Sequence, residues 1–282
     1  RTTAMKVVVF GSGWFIGNQL SAHLESDGFD IVRCARTSAS IGEVPKVKTY
    51  PWCLQRPLDG LSEAFCPDAA ILMAHDFAGQ EGATATLSGY KQILDWLALQ
   101  QCKRIIFVSS YSAGPHATSL YGRTKYTVEK LVENTRNGVV VRPGLVAGGG
   151  IEKKLIELAA RYRFLPVPGL KDPKVPVIRI NTLCIALTRL LLSEEEKRLY
   201  YFHEEPLDGL RSHLRGQCHK VGIRVLLIPT PLIFIRLGFW LAKHLNLKLP
   251  VNEDNLRGLE ANQKINRGSD LQLMTGFASH AP

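Results

Sequence analysis

Lys6-Val7-Val8-Val9-Phe10-Gly11-Ser12-Gly13-Trp14-Phe15-Ile16-Gly17 decides the fold. Its first five residues form a short apolar run, the composition of a strand buried on both faces. Glycines follow at 11, 13 and 17, and Ile16, Leu20, His23 and Leu24 then recur at helical spacing. A glycine-rich turn between a strand and a helix lets the backbone approach a pyrophosphate. The helix N-terminus there supplies N–H groups and a partial positive charge. The whole turn, Gly11, Ser12, Gly13, Trp14, Phe15, Ile16 and Gly17, is therefore expected to bind a dinucleotide. Trp14 stands where a glycine is common, and its indole either points away from the cofactor or narrows the site.

The same alternation runs on. Strands are expected at Phe29–Val32, 47–50, Ala69–Met73, Arg104–Val108 and Gly138–Arg142. Helical patterns fall at 61–65, Leu87–Gln100 and Thr124–Asn134. Buried Val/Ile-rich strands alternating with helices predict an α/β, Rossmann-type doubly wound parallel sheet. After Pro143 the rhythm changes. Helices are expected at Lys153–Tyr162 and Leu183–Leu192, and a Pro/Gly-rich loop at Phe164–Pro176. Residues 5–150 are thus expected to form the dinucleotide-binding domain. Residues 151–282 would form mainly a smaller C-terminal substrate lobe, with segments returning to the first domain. Val225–Ala242, the most apolar stretch, is broken by Pro229, Pro231 and Arg236 and reads as an amphipathic core helix with a Pro-capped start.

The chain has 282 residues, 45% of them hydrophobic, with a formal net charge of +10. Basic and acidic residues number 15 and 12 in residues 1–150, and 20 and 13 in residues 151–282. No dense Lys/Arg run is interleaved with aromatics, so no nucleic-acid partner is expected. A basic cleft for phosphates accounts for the sign. No membrane partner is expected either. The six cysteines form no close pair, so reduced thiols are expected and no metal site. Met5-Lys6-Val7 leads directly into a strand without a secretory signal, which points to the cytoplasm.

Chemistry enters at Tyr121-Gly122-Arg123-Thr124-Lys125. With 8 Tyr and 16 Lys in the chain, chance gives about half a match to this spacing, and Tyr126 with Lys130 is a second one. Context selects the first. Val108-Ser109-Ser110 ends a strand just upstream, and the pair opens a helix. A phenol can donate a proton to a carbonyl oxygen and recover it as phenolate. A lysine one turn on lowers the phenol's pKa from about 10. A serine hydroxyl orients the oxygen. At the end of the second strand, Val32-Arg33-Cys34-Ala35-Arg36-Thr37-Ser38 holds no acid to accept a ribose 2′-OH. Arg36, with Ser38, suits a 2′-phosphate, which favours NADP over NAD.

Together these segments resemble the short-chain dehydrogenase/reductase superfamily, in particular its extended branch of sugar-nucleotide epimerases, dehydratases and reductases. Arg142-Pro143-Gly144-Leu145-Val146-Ala147-Gly148, Leu165–Gly169, Val177–Leu183, Pro229–Ala242 and Met274-Thr275-Gly276-Phe277 extend the likeness over nearly the whole chain. The resemblance implies Tyr121 as acid/base, Lys125 as its partner and Ser110, or alternatively Ser109, in the serine role. It also sets Ala74, Pro143 and Val146, with Tyr121 and Lys125, against the cofactor. It implies a nucleotide-sugar substrate and a homodimer.

Departures bear on the substrate. Tyr121 follows Ser110 by only 11 positions, Met73-Ala74-His75-Asp76 reshuffles an expected motif, and the acid expected after the third strand is replaced near Trp52. His75, Arg163 and Arg179 are secondary candidates, each with a structural role as the alternative. Three functions follow: an NADP-dependent oxidoreductase or epimerase of a nucleotide sugar, a reductase of a smaller carbonyl, or a non-enzymatic NADP(H)-binding module.

Overall fold

The computed structural model describes residues 4–36, 48–62, 65–194, 196–247, 249–263 and 268–275. The first half holds six strands, β1 (Lys6–Phe10), β2 (Asp30–Ala35), β3 (Lys48–Pro51), β4 (Ala69–Leu72), β5 (Arg104–Val108) and β6 (Gly138–Pro143). Between them run α1 (Phe15–Ser26), α2 (Asp59–Ser62), α3 (Gly79–Leu99) and α4 (Leu120–Glu133). Beyond β6 come β7 (Leu145–Ala147), α5 (Gly150–Tyr162), β8 (Phe164–Pro168), β9 (Lys174–Val175), β10 (Val177–Arg179) and α6 (Ile180–Leu192). Then follow β11 (Leu199–Phe202), β12 (Asp208–Gly209), α7 (Leu210–Lys220), β13 (Leu226–Thr230), α8 (Leu232–His244), α9 (Glu253–Gln263) and α10 (Leu271–Thr275).

The main sheet is parallel throughout, in the order β11-β6-β5-β4-β1-β2-β3. Successive residues on a strand point to opposite faces, and the cores divide accordingly. Val8, Phe10, Val32, Ala70, Leu72 and Phe107 pack with Tyr90, Ile93 and Leu97 of α3 and Val128 of α4. Val7, Val9, Ile31, Ala69, Ile71 and Ile106 pack with Leu20 of α1, Leu183 and Leu187 of α6, and Met274 of α10. The expected doubly wound sheet is therefore present. Order reverses between β1 and β4, and this is where ligands enter such sheets.

The chain past residue 150 does not all lie in the lobe. Leu199–Phe202 pairs with Leu145's neighbour strand, Val140 to Pro143, as the seventh strand, and α6 and α10 cover one face of the sheet. The lobe has its own small core of Leu165, Val167, Val175, Leu210, Leu214, Leu227 and Leu259.

Two sequence expectations are corrected. Phe164–Pro176 is no simple loop, because β8 pairs in parallel with β13 and β9 pairs with β12. Phe164 and Pro166 are exposed while Leu165, Val167 and Pro168 are buried, and the prolines sit on a strand of a two-stranded ribbon, paired on one side. Val225–Ala242 is not one core helix. Leu226–Thr230 is strand β13, Pro231 precedes α8, and only Ala242 of that helix is buried. Of the helix expected at 61–65, Leu61 and Ser62 lie in α2, and residues 63 and 64 lie outside the described residues. Val47, Ser38, Gly276 and Phe277 lie outside the described residues. All six cysteines are unpaired. Among the described residues, no helix is long and apolar enough to cross a membrane, and no cluster of His, Cys, Asp or Glu is arranged for a metal.

Candidate active site

The turn after β1 is tightly built. Gly11 has φ +85°, and a Cβ on it would stand 2.5 Å from the Ala74 nitrogen. A Cβ on Gly17 would stand 2.6 Å from the Ser12 Cα, so the first turn of α1 rests directly on the loop. The Gly11 N–H and the buried Ser12 hydroxyl both donate to the Cys34 carbonyl, at 3.0 and 3.3 Å, tying the turn to β2. No side chain caps α1, and its first turn holds no acid. Its leading N–H groups therefore remain for an anion. Below the turn lies Arg33, 1% exposed, whose Nη2 donates to the Ser12 carbonyl and to Asn18 Oδ1.

A cleft opens over this turn at the carboxyl ends of β1, β2, β3 and β4. It is walled by Gly13, Trp14, Cys34 to Arg36, Trp52 to Gln55, and Ala74 to Asp76. Trp14 does not turn away. Its exposed indole meets Phe77 edge-on at 5.9 Å, with the Arg36 guanidinium 5.7 Å from its centre, and it narrows the mouth. Trp52 is buried against Phe10 and donates its N–H to the Arg56 carbonyl. Asp76 is held below the usual carboxylate range by the Ala78 N–H, then by Gln55 and Arg36. The glycine cradle, the open α1 terminus and an unpartnered, buried His75 Nδ1 fit a dinucleotide.

The second half of the site rides on α4. Ser119 caps that helix by accepting the Gly122 N–H at 2.9 Å. Asp254 of α9 accepts the Leu120 and Tyr121 N–H groups at 2.6 and 3.3 Å. Tyr121 and Lys125 then share a face one turn apart. The Lys125 ammonium, 3% exposed, donates to the Val108 carbonyl at 2.9 Å and lies 4.7 Å from the Phe107 ring centre. It lies 5.7 Å from the Tyr121 ring centre. Tyr121 stacks on Phe77 at 5.8 Å and meets His75 edge-on at 4.8 Å.

Burial dominates the proton affinities. It pushes the Tyr121 phenol up to about 12 and the Lys125 ammonium down to about 7, the latter opposed by Glu129. The expected lowering of the phenol by Lys125 is thus absent here, because desolvation outweighs the charge and the ammonium faces Val108. His75 is held neutral, at about 3, by burial and then by Lys125, with Asp76 opposing. It is a wall of the site and has no proton to give near neutrality.

The two serines part company. Ser109 is buried and donates to Glu129 Oε1 at 2.5 Å. Ser110 is only half-buried and its hydroxyl pairs locally with Ser112, at 3.0 Å from Oγ to Oγ. Of the two, only Ser110 is not fully buried. The second Tyr–Lys match faces outward: Lys130 is exposed, pairs with Glu133 at 2.6 Å, and lies over the Tyr126 ring. Pro143 and Val146 are buried along the strand end that follows β6. Arg179 is taken by Glu204 at 2.8 Å. Arg163 closes α5 in a left-handed conformation, φ 63°, with its carbonyl bonded by the Leu226 N–H.

Several residues escape a sequence reading. Glu129 and Arg142 form a buried pair behind Lys125, and Glu129 at four positions past Lys125 was the available signal. Tyr111 and His203 share a buried hydrogen bond across a long stretch of chain, and Asp254 reaches α4 from a distant helix. Nothing in the local sequence signals either.

No protein-family model matches this chain, and no curated protein matches its sequence. Solved structures do match its fold. The UDP-glucose 4-epimerase of Thermotoga maritima, solved with UDP-glucose, superposes with a TM-score of 0.67 at 17% identity, over 92% of this chain and 98% of that one. WbmH of Bordetella bronchiseptica, solved with NAD+, superposes at 0.69 and 14% identity, over 81% and 85%. The ADP-L-glycero-D-manno-heptose-6-epimerase of Helicobacter pylori superposes at 0.66 and 13% identity, over 80% and 85%. The chain shares the fold of these solved proteins.

Proposed function

We propose that this chain is a nicotinamide-dinucleotide-dependent epimerase or oxidoreductase acting on a nucleotide sugar. The observation that carries the proposal is the meeting of two half-sites at the carboxyl edge of one sheet. Gly11 to Gly17 form a tight glycine turn after β1, open to a diphosphate, and Ser110, Tyr121 and Lys125 stand at the end of β5 and the start of α4. A dinucleotide bound there supplies the hydride acceptor and donor. Tyr121, protonated at neutral pH, donates to a carbonyl oxygen in the reducing direction. In the oxidising direction its phenolate takes the proton of the substrate hydroxyl, and a charged Lys125 stabilises that phenolate beforehand. Ser110 orients the substrate oxygen. The superposed epimerases, one solved with UDP-glucose, support the nucleotide sugar as substrate class.

For the cofactor, Arg36 beside the cleft supports NADP, while solved neighbours carrying NAD support the unphosphorylated form. A second reading, a reductase of a smaller carbonyl, is favoured by the short approach from Ser110 and by Phe77 lying flat on Tyr121.

The test is a thermal-shift screen of nucleotide sugars with NADP or NAD present, followed by NAD(P)H absorbance. A stabilising sugar turned over without net absorbance change supports epimerisation. No response to any nucleotide sugar, with turnover of small ketones, supports the second reading. Tyr121→Phe lowers turnover by roughly 10²–10⁴-fold with dinucleotide binding retained. Loss in Tyr126→Phe instead overturns the assignment, and retention of all turnover in Tyr121→Phe overturns the mechanism.

A further inference from the structure

Helix α8 and the β8–β13 ribbon expose an apolar surface that the active site does not use. In the ribbon, register pairs alternate. Leu165 and Leu227 face the lobe core, while Phe164 and Leu226, and Pro166 and Ile228, face outward. Phe164 is 50% exposed and Leu226 64%. The chain turns at Pro231 into α8, which packs against β8. Leu232, Ile235, Phe239 and Ala242 form the helix's more sheltered stripe. Its other face presents Ile233, Phe234, Leu237, Trp240 and Leu241, each about half exposed or more, and Leu245 and Leu247 continue the surface. Contiguous exposed apolar surface of this extent marks an interaction site.

Charge identifies the partner. From Gly209 to Asn252 the chain contains no Asp or Glu, while Arg211, Arg215, Lys220, Arg224, Arg236, Lys243 and Lys248 fall within it. The polar side chains of α8 are Arg236, Lys243 and His244, all exposed. Among the described residues, the acid paired with this helix is Glu260 of α9, 3.2 Å from Arg236. An apolar helix face carrying Trp and Phe and flanked by cations matches the interface of an anionic bilayer, where the rings enter the headgroup region and the cations meet lipid phosphates. A nucleic acid would leave Ile233, Leu237 and Leu241 without a partner. We infer that α8 and the outer face of the β8–β13 ribbon dock this protein onto an anionic membrane surface, lying on it without spanning it. The inference goes beyond the sequence expectation of no membrane partner.

The test is co-sedimentation of the full chain with phosphatidylcholine vesicles, with and without roughly 30% phosphatidylserine. Binding is expected with phosphatidylserine and should weaken with added salt. Leu237→Glu with Trp240→Glu should cut the bound fraction by about tenfold while dinucleotide binding persists. Should that variant not fold, Arg224→Glu with Lys243→Glu, which leaves the apolar face intact, should remove the phosphatidylserine dependence. Two results overturn the inference: no binding to either vesicle, or binding that both pairs of substitutions leave unchanged. A dimer in light scattering that Leu237→Glu with Trp240→Glu converts to monomer also overturns it, since the face would then join two copies of this chain. None of these outcomes bears on the assignment of Tyr121.

Discussion

Glu129 lies one helical turn past Lys125 and is gripped by Arg142, Nε to Oε1 at 2.8 Å and Nη2 to Oε2 at 2.5 Å. The carboxylate is fully buried and also takes the Ser109 hydroxyl. It therefore joins α4, β6 and the end of β5 at one point, and it is the acid that supports the charge on Lys125. Removing its charge strands a largely buried guanidinium. Glu129→Gln should lower unfolding free energy by about 3 kcal/mol in urea titration and shift the Lys125 titration further down. A change of under about 0.5 kcal/mol, the size of an ordinary surface substitution, would show that the pair is not structural.

Lys125 gives a pH signature of the opposite sign to that of an ion-paired lysine. Its ammonium is held at about 7 in the folded chain, against 10.5 for the free side chain. Between these values the unfolded chain binds the extra proton, so stability rises with pH across that window. Below pH 7 both states are protonated and the cost of burying the charge is fully present. From pH 7 to pH 9 the wild type should gain about 2 kcal/mol relative to Lys125→Met in urea unfolding. Parallel curves would mean that the buried ammonium keeps its ordinary affinity.

The two serines at the end of β5 should separate by phenotype. Ser109 is committed to Glu129, so Ser109→Ala should cost about 1 kcal/mol of stability with modest effect on turnover of a competent substrate. Ser110→Ala should leave stability nearly unchanged and lower kcat by roughly 10²-fold. The reverse pattern, read by paired melting and steady-state kinetics, would move the serine role to Ser109.

Arg36 decides the cofactor question by subtraction. Its guanidinium lies at the cleft, 5.7 Å from the centre of the Trp14 ring. Arg36→Ala should raise the Kd for NADPH by about tenfold, the loss of one charge-assisted contact, and leave that for NADH within about twofold. Equal effects on both would assign Arg36 a role unrelated to the 2′ position.

What the sequence made legible follows from local physics. Lys6–Phe10 and Arg104–Val108 announce themselves as buried strands because both faces of a parallel sheet demand apolar residues. Tyr121 and Lys125 are four apart, and a helix fixes their shared face. Arg33 misleads because a charged residue in a strand suggests exposure, yet here its donors hold the phosphate turn from below. Phe164–Pro168 misleads because its prolines suggest a loop, and the partner that makes it a strand, Leu226–Thr230, lies far along the chain. Asp254 could not be found at all by pattern, since its role depends on a tertiary approach to Leu120 and Tyr121.

The seventh strand carries a topological consequence. Because Leu199–Phe202 lies beside β6, the segment from β7 to β10 is inserted between two neighbouring strands of one sheet. The chain thus crosses into the lobe twice, after β6 and again after β11, and the lobe core draws Leu165 and Val175 from the first excursion and Leu210 and Leu227 from the second. The two neighbouring strands β6 and β11 are therefore the doorposts of the lobe, while β1, which carries the glycine turn, has no direct connection to it.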